Sequence, residues 1–312
     1  MKCYHICLSG NEEIMFRTHE DYCRGINCML IAAYRTKSVI LAYAFMSTHI
    51  HVCVRTDQPY KLITRYRYAY TRYFNRKYFR KGKLGNVSPY IVELDGLYHT
   101  LAAISYVLRN PLHHGVCETA FAYPYSSIHS YFKKSMGAMM INPNIDNILP
   151  HHKQYHYLPS RANLPDTYTM SLTGILNSDK TVDYADVEHL YVSARSFCYY
   201  MNRISGDSWI QEQQKDQNGK EPVSLEVIEK GISSHSINEI LKYEHGRFDY
   251  SKLSDMELCT IIDSEYMDRN KGESVYTIDI SRKEMILRKL VDKYRNSTKQ
   301  FRRCLILNVC DA

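Results

Sequence analysis

The stretch MSTHIHVCV, residues 46–54, sets His49 and His51 one residue apart inside an apolar, β-branched run. Successive side chains of a strand point to opposite faces. His49, His51, Cys53 and Arg55 therefore share one face, and Ile50, Val52 and Val54 the other. Two neighbouring imidazoles can bind one metal ion together. They can also be two partly exposed histidines on a polar sheet face, because His-x-His is a short and common spacing. A second pair lies just before Pro111. On a wheel of about 100° per residue, Leu101, Ile104 and Leu108 fall within about 40° of Leu97 and form a buried stripe. Tyr106 and Asn110 fall on the opposite, exposed side, with His99 between them in angle. As i, i+4 neighbours, Tyr106 and Asn110 can meet over one spot. The plainer reading is a surface tyrosine beside a helix-ending asparagine.

Residues 61–85, KLITRYRYAYTRYFNRKYFRKGKLG, hold nine Lys or Arg, no acid, and seven Tyr or Phe. Basic side chains neutralise phosphates and aromatic faces accept stacked bases. The candidate nucleic-acid contacts are Arg65, Arg67, Arg72, Arg76, Lys77, Arg80, Lys81 and Lys83. The alternative is a solvated basic helix whose aromatics fill the core, and Ile63, Tyr66, Tyr70, Tyr73 and Phe74 have core-like spacing. An acid-free run of this length repels itself unless an anion meets it, which favours nucleic acid.

These residues need elements to hold them. CYHICL at 3–8 alternates like a strand, and residues 18–34 have helical spacing. SVILAYAFM at 38–46 and HIHVCV at 49–54 form a hairpin across Ser47-Thr48. Residues 59–81 are helical, Tyr90–Leu94 is a fourth strand, and a helix runs from Leu97 to Arg109, stopped by Pro111. This is an α+β chain with the ferredoxin-like βαββαβ order and a trailing helix that carries Tyr106. The domain assigned to it is 1–141.

Residues 142–166 hold four prolines and no clear period, and are expected to link two domains. His151, His152 and His156 within them are expected to be solvated. The remainder, 167–312, reads as mostly helical. It has one helix over 183–203, a capping box at Ser254 and Glu257, and another at Ser281 and Glu284. Residues 281–307 fit a helix-turn-helix, or equally a plain helical hairpin, with Lys299, Arg302 and Arg303 as possible target-reading side chains.

The 312-residue length suggests two domains. The formal charge of +7 favours an anionic partner. Ten cysteines without a CxxC pair, and no apolar leader, suggest reduced thiols in a cytoplasmic protein. No apolar run approaches the roughly 18 residues that span a membrane.

Combined, these pieces describe one mechanism. His49 and His51 hold a divalent ion, with the Asn110 oxygen as a third ligand suited to Mg²⁺ or Mn²⁺. The ion polarises a phosphodiester, and Tyr106 is a nucleophile able to form a phosphotyrosine. MSTHIHVCV, then YTRYFNRKYFRKG, then YVLRNPLHHGVCETAFAYPYSS resemble, in order and spacing, the single-tyrosine HUH transposases, nearest to the REP-associated tyrosine transposases of bacteria. The resemblance covers about residues 1–135. It implies a ferredoxin-like nuclease that cuts and rejoins single-stranded DNA near hairpins. In it His49 and His51 match the HUH histidines, Tyr106 the nucleophile, and Asn110 the polar residue one turn later. Two positions depart from the family pattern: Thr48 stands where Asn is usual, and GNVSPY replaces a basic-aromatic Gly-Arg-Phe. The expectation is a metal-dependent single-strand endonuclease and strand transferase, a monomer or homodimer at the bacterial nucleoid. The alternatives are a non-cutting DNA-binding regulator derived from such an enzyme, and a metal hydrolase that uses water.

Overall fold

The computed structural model describes residues 1–10, 13–85, 88–137, 148–159, 164–203, 207–216, 220–230, 232 and 252–307. Four strands, β1 (Lys2–Ser9), β2 (Val39–Phe45), β3 (His49–Thr56) and β4 (Tyr90–Leu94), form one sheet in the order β2-β3-β1-β4. Every neighbouring pair is antiparallel. The helices α1 (His19–Arg35) and α2 (Pro59–Tyr78) sit among the strands in sequence, and α3 (Leu97–His113) follows β4. Thr18 and Asp21 cap α1 reciprocally, satisfying two N–H groups at its start.

Alternation along β3 divides the molecule. Phe45 pairs with Ile50 across the hairpin, and its ring meets Tyr66 of α2 edge-on at 6.4 Å. The isoleucine and valine face is thus the one that α2 covers. His51 lies on the other face, where Tyr106 of α3 stands edge-on at 5.4 Å. Both faces are therefore covered, and β3 is buried along almost its whole length. His49 and His51 are not on a partly exposed sheet face.

Pro111 does not stop α3, which continues to His113. A proline removes only its own N–H and the bond that group would make. The turn beyond it closes through His114 N–H to the Asn110 carbonyl at 3.0 Å. The expected 183–203 helix is two helices, Tyr184–Tyr191 and Ala194–Asn202. Val192 takes φ 67°, and Ser193 starts the second helix by accepting from Ser196 N–H. The capping box at Ser254 and Glu257 is formed. At the next helix, Ile280–Lys293, Asp279 takes the cap position expected for Ser281, with its carboxylate accepting from Arg282 N–H.

The buried core divides differently from the expected domains. One cluster unites the sheet and α1–α3 with residues up to Ile228, including Met170, Leu176, Val187, Phe197 and Trp209. The other joins Ile14 to the last three helices, through Leu258, Ile262, Leu290 and Phe301. Residues 142–166, of which 142–147 and 160–163 lie outside the described residues, therefore do not separate two cores. The last helices dock by buried ion pairs. Arg17, fully buried, donates to both Asp263 oxygens at 2.8 and 3.0 Å and to the Cys304 carbonyl at 2.9 Å. Asp255 accepts from Ser47 Oγ at 2.6 Å and from Arg303 at 2.8 Å. His151, His152 and His156 are exposed, as expected. Among the described residues no helix is long and apolar enough to cross a membrane.

Candidate functional site

The register of the sheet assembles the site. On β3, His49 pairs with Ser9 of β1 and His51 with Cys7. His5, two residues before Cys7, shares their face, and its Nε2 lies 3.0 Å from His51 Nδ1. Helix α3 crosses this face. Its 3.6-residue period stacks Tyr106, Asn110 and His114 above one another. His49 Nε2 lies 3.2 Å from Asn110 Oδ1, and Asn110 Nδ2 donates to Tyr106 Oη at 3.1 Å. Thr48 Oγ1 lies 3.1 Å from His49 Nδ1. The four residues singled out from sequence, His49, His51, Tyr106 and Asn110, thus occupy one place.

They are not exposed there. Tyr106 is 2% exposed and Asn110 fully buried, because α3 is covered on its outer side as well. The short helix Leu225–Ile228 delivers Glu229, whose Oε1 accepts from Tyr106 Oη at 2.6 Å and lies 2.9 Å from His113 Nε2. A 100° wheel finds which residues share a helix face. It does not tell whether chain from more than a hundred residues away covers the second face.

Burial dominates the electrostatics. It pushes His49 down to about 4 and His5 down to about 3. It also holds His51 and His114 well below the ordinary histidine range, where the neighbouring histidines push in the same direction. Neutral imidazoles keep a lone pair for a metal ion. Burial, then the Glu229 charge, holds the Tyr106 phenol protonated far above its usual range. Burial also pushes the Glu229 carboxyl upward, but its bonds to His113 and Tyr106 outweigh that and leave it lowered.

His5, His113, His114 and Glu229 were not anticipated. His114 had a signal, since it stands four residues after Asn110. His5 alternates with Cys7 on a readable strand. Glu229 has no local signal at all.

The basic helix is only partly as expected. Lys77 Nζ is paired with Glu20 and Asp21, both at 2.8 Å. Arg80 is paired with Glu13 at 2.7 Å. The anions that relieve this acid-free run are, at these two positions, carboxylates from the chain itself. Tyr66, Tyr70, Phe74 and Tyr78 are core, whereas Tyr68 is 71% exposed. Arg67 is half-buried, and Lys81 and Lys83 are exposed. Arg65, Arg72 and Arg76 are exposed and make no ion pair among the described residues. They line a groove of about 500 Å³ between α1 and α2, together with Arg24, Arg35 and Tyr68. The groove lies on the side of the sheet away from Tyr106.

The target-reading residues fare worse. Arg303 is buried in its ion pair with Asp255, so it cannot reach a base. Arg302 is paired with Glu284 at 3.3 Å, and Lys299 is half-buried. Gln300, Phe301 and Cys304 of the same seven-residue helix are also buried. That helix is spent on its own core.

No family model and no curated protein matches the chain. A solved structure of a REP-associated tyrosine transposase bound to a REP hairpin is similar to 43% of this chain and 81% of that chain, at 11% identity and a TM-score of 0.37. A likeness of that size assigns this chain neither a family nor a chemistry.

Proposed function

We propose that this chain cuts and rejoins single-stranded DNA through Tyr106. The observation that carries the reading is the convergence of a tyrosine hydroxyl, two strand histidines and an asparagine amide in one pocket. Helix α3 and strand β3 supply them from positions about sixty residues apart in sequence. The element order βαββαβ and the sheet order β2-β3-β1-β4 favour the ferredoxin-like arrangement.

Tyr106 Oη attacks the scissile phosphorus as the bond from phosphorus to the 3′ oxygen breaks, and the phenol proton passes on to the departing 3′ oxygen. The product is a 5′-phosphotyrosyl enzyme and a free 3′-OH. Attack by a 3′-OH reverses the step and rejoins the strand, with no ATP required. Asn110 Nδ2 fixes the phenol by its bond to Oη. Glu229 has to leave Oη before an anionic phosphate can approach, because its carboxylate occupies that hydroxyl. His51 Nε2 is buried without a hydrogen bond, and this orphaned nitrogen fits a metal ligand. His49, His51 and Asn110 would hold Mg²⁺ or Mn²⁺, and the ion would offset charge on the phosphate. Arg65, Arg72 and Arg76, with Lys81 and Lys83, hold the DNA through its phosphates.

The test is incubation of the protein with end-labelled hairpin-bearing single strands and Mn²⁺, followed by a denaturing gel. A shifted protein–DNA adduct is expected, and Tyr106→Phe abolishes it. An adduct in the Phe variant assigns another nucleophile. Cleavage without an adduct favours a water-using hydrolase. Burial of Tyr106 under Glu229 favours one second reading, a non-cutting DNA-binding regulator. That reading predicts DNA binding with neither cleavage nor adduct.

A further inference from the structure

His114 caps the C-terminal end of α3, its N–H donating to the Asn110 carbonyl at 3.0 Å. Its ring meets His49 edge-on at 5.1 Å, as His49 meets His51 at 5.2 Å. It is 2% exposed, yet neither ring nitrogen has a hydrogen bond. His51 Nε2 is in the same condition, while His51 Nδ1 faces His5. A buried polar nitrogen left without a partner has lost its bonds to water and gained none in return. Three of them belong to two rings that flank His49, and no described side chain satisfies any of them. An electron-pair acceptor would satisfy the lone pairs among these nitrogens.

We propose that His114 is a third imidazole ligand, with His49 and His51, of one divalent transition-metal ion. Among the described residues no three His, Cys, Asp or Glu side chains already stand as a metal cage, so binding requires the rings to turn inward and His49 to exchange its contact with Thr48 Oγ1 or Asn110 Oδ1 for the ion. His114 can turn without breaking a side-chain hydrogen bond, because it makes none. His51 is steadied by His5, the kind of outer contact that orients a metal-bound imidazole. Three imidazoles suit Zn²⁺, Co²⁺ or Mn²⁺, whereas Mg²⁺ prefers oxygen and water. The expected choice of Mg²⁺ or Mn²⁺ thereby narrows to the transition ion. The use of the ion in phosphoryl transfer rests on the function proposed above, but its binding does not.

The experiment uses the full chain stripped by chelator and titrated with Co²⁺, read by visible absorption and by calorimetry. One Co²⁺ per chain is expected, with Mg²⁺ failing to compete at equal concentration. His114→Ala and His114→Gln should each weaken binding at least tenfold and alter the absorption bands, while circular dichroism shows a folded protein. X-ray absorption at the cobalt edge of the unsubstituted protein counts imidazoles without any substitution, so a variant that fails to fold does not block the test. Three rings support the proposal. Two rings, or equal affinity in a folded His114 variant, overturn it and leave the function untouched. No binding at all overturns both the ligand and the metal dependence. Binding through three imidazoles without any Tyr106 adduct upholds the ligand and overturns the function.

Discussion

Acid should unfold this protein through its buried histidines. A histidine whose folded pKa is depressed binds fewer protons when folded than when unfolded at any pH between the two values. Its contribution to stability is therefore full above the unfolded value, near 6.5, and is lost as pH falls toward the folded value. His49 is pushed down to about 4 and His5 to about 3 by burial. Between pH 7 and pH 5 each costs about 2 kcal/mol, since one pKa unit is about 1.4 kcal/mol. Together they remove about 4 kcal/mol, and His51 and His114 act in the same direction. A typical domain is stable by only about 5–15 kcal/mol. The assay is urea unfolding by circular dichroism at pH 7, 6 and 5, with chelator present so that metal binding adds no proton linkage of its own. His5→Gln, whose amide can still face His51, should flatten the dependence by about 2 kcal/mol over this window. Stability constant to within about 1 kcal/mol from pH 7 to pH 5 would falsify the closed site, because it would mean that the imidazoles are solvated.

Further outcomes follow from the ion pairs and the groove. Arg17→Met leaves the buried Asp263 carboxylate without its partner and should cost about 3–5 kcal/mol in urea unfolding. Adding Asp263→Leu should recover most of that, and a cost below about 1 kcal/mol for the single change would mean that the last helices are not docked as described. Arg72→Ala with Arg76→Ala should weaken binding to single strands of any sequence. Each lost phosphate contact should flatten the salt slope by about 0.7. Lys77→Ala with Arg80→Ala should lower stability and leave that slope nearly unchanged, because Glu13, Glu20 and Asp21 hold those cations. Identical salt slopes in the two double variants would show that the groove is not where DNA binds.

What the sequence made legible was local, and what it hid came from afar. Strand alternation placed His49 and His51 on one face, and the i, i+4 rule put Tyr106 over Asn110. Both follow from backbone periods that need no tertiary knowledge. The same wheel misread exposure, because it treated α3 as a helix with one covered side. Its second side is closed by residues of the 184–229 region, such as Tyr191, which is 2.7 Å from Ser105, and Glu229 on Tyr106 itself. A proline-rich stretch looked like a boundary, yet Met170, Phe197 and Ile228 belong to the sheet's own core. A chain cut near residue 160 would therefore strip apolar cover from α3 rather than release a free domain. The basic helix teaches the same lesson for charge. Composition counts cations, but only geometry assigns Lys77 and Arg80 to internal carboxylates and leaves Arg65, Arg72 and Arg76 facing a groove. These three lie within about 40° of one another on the helix wheel, with Tyr68 beside them. The groove and the tyrosine lie on opposite sides of the sheet, so a nucleic acid that engages both must pass around the sheet's edge. Glu229 accepts from Tyr106 Oη in this structure, and under the proposed function it has to leave before a phosphate can approach. If DNA is held in the groove and cut at Tyr106 as proposed, binding and chemistry are separable steps, and substitutions in one should leave the other measurable.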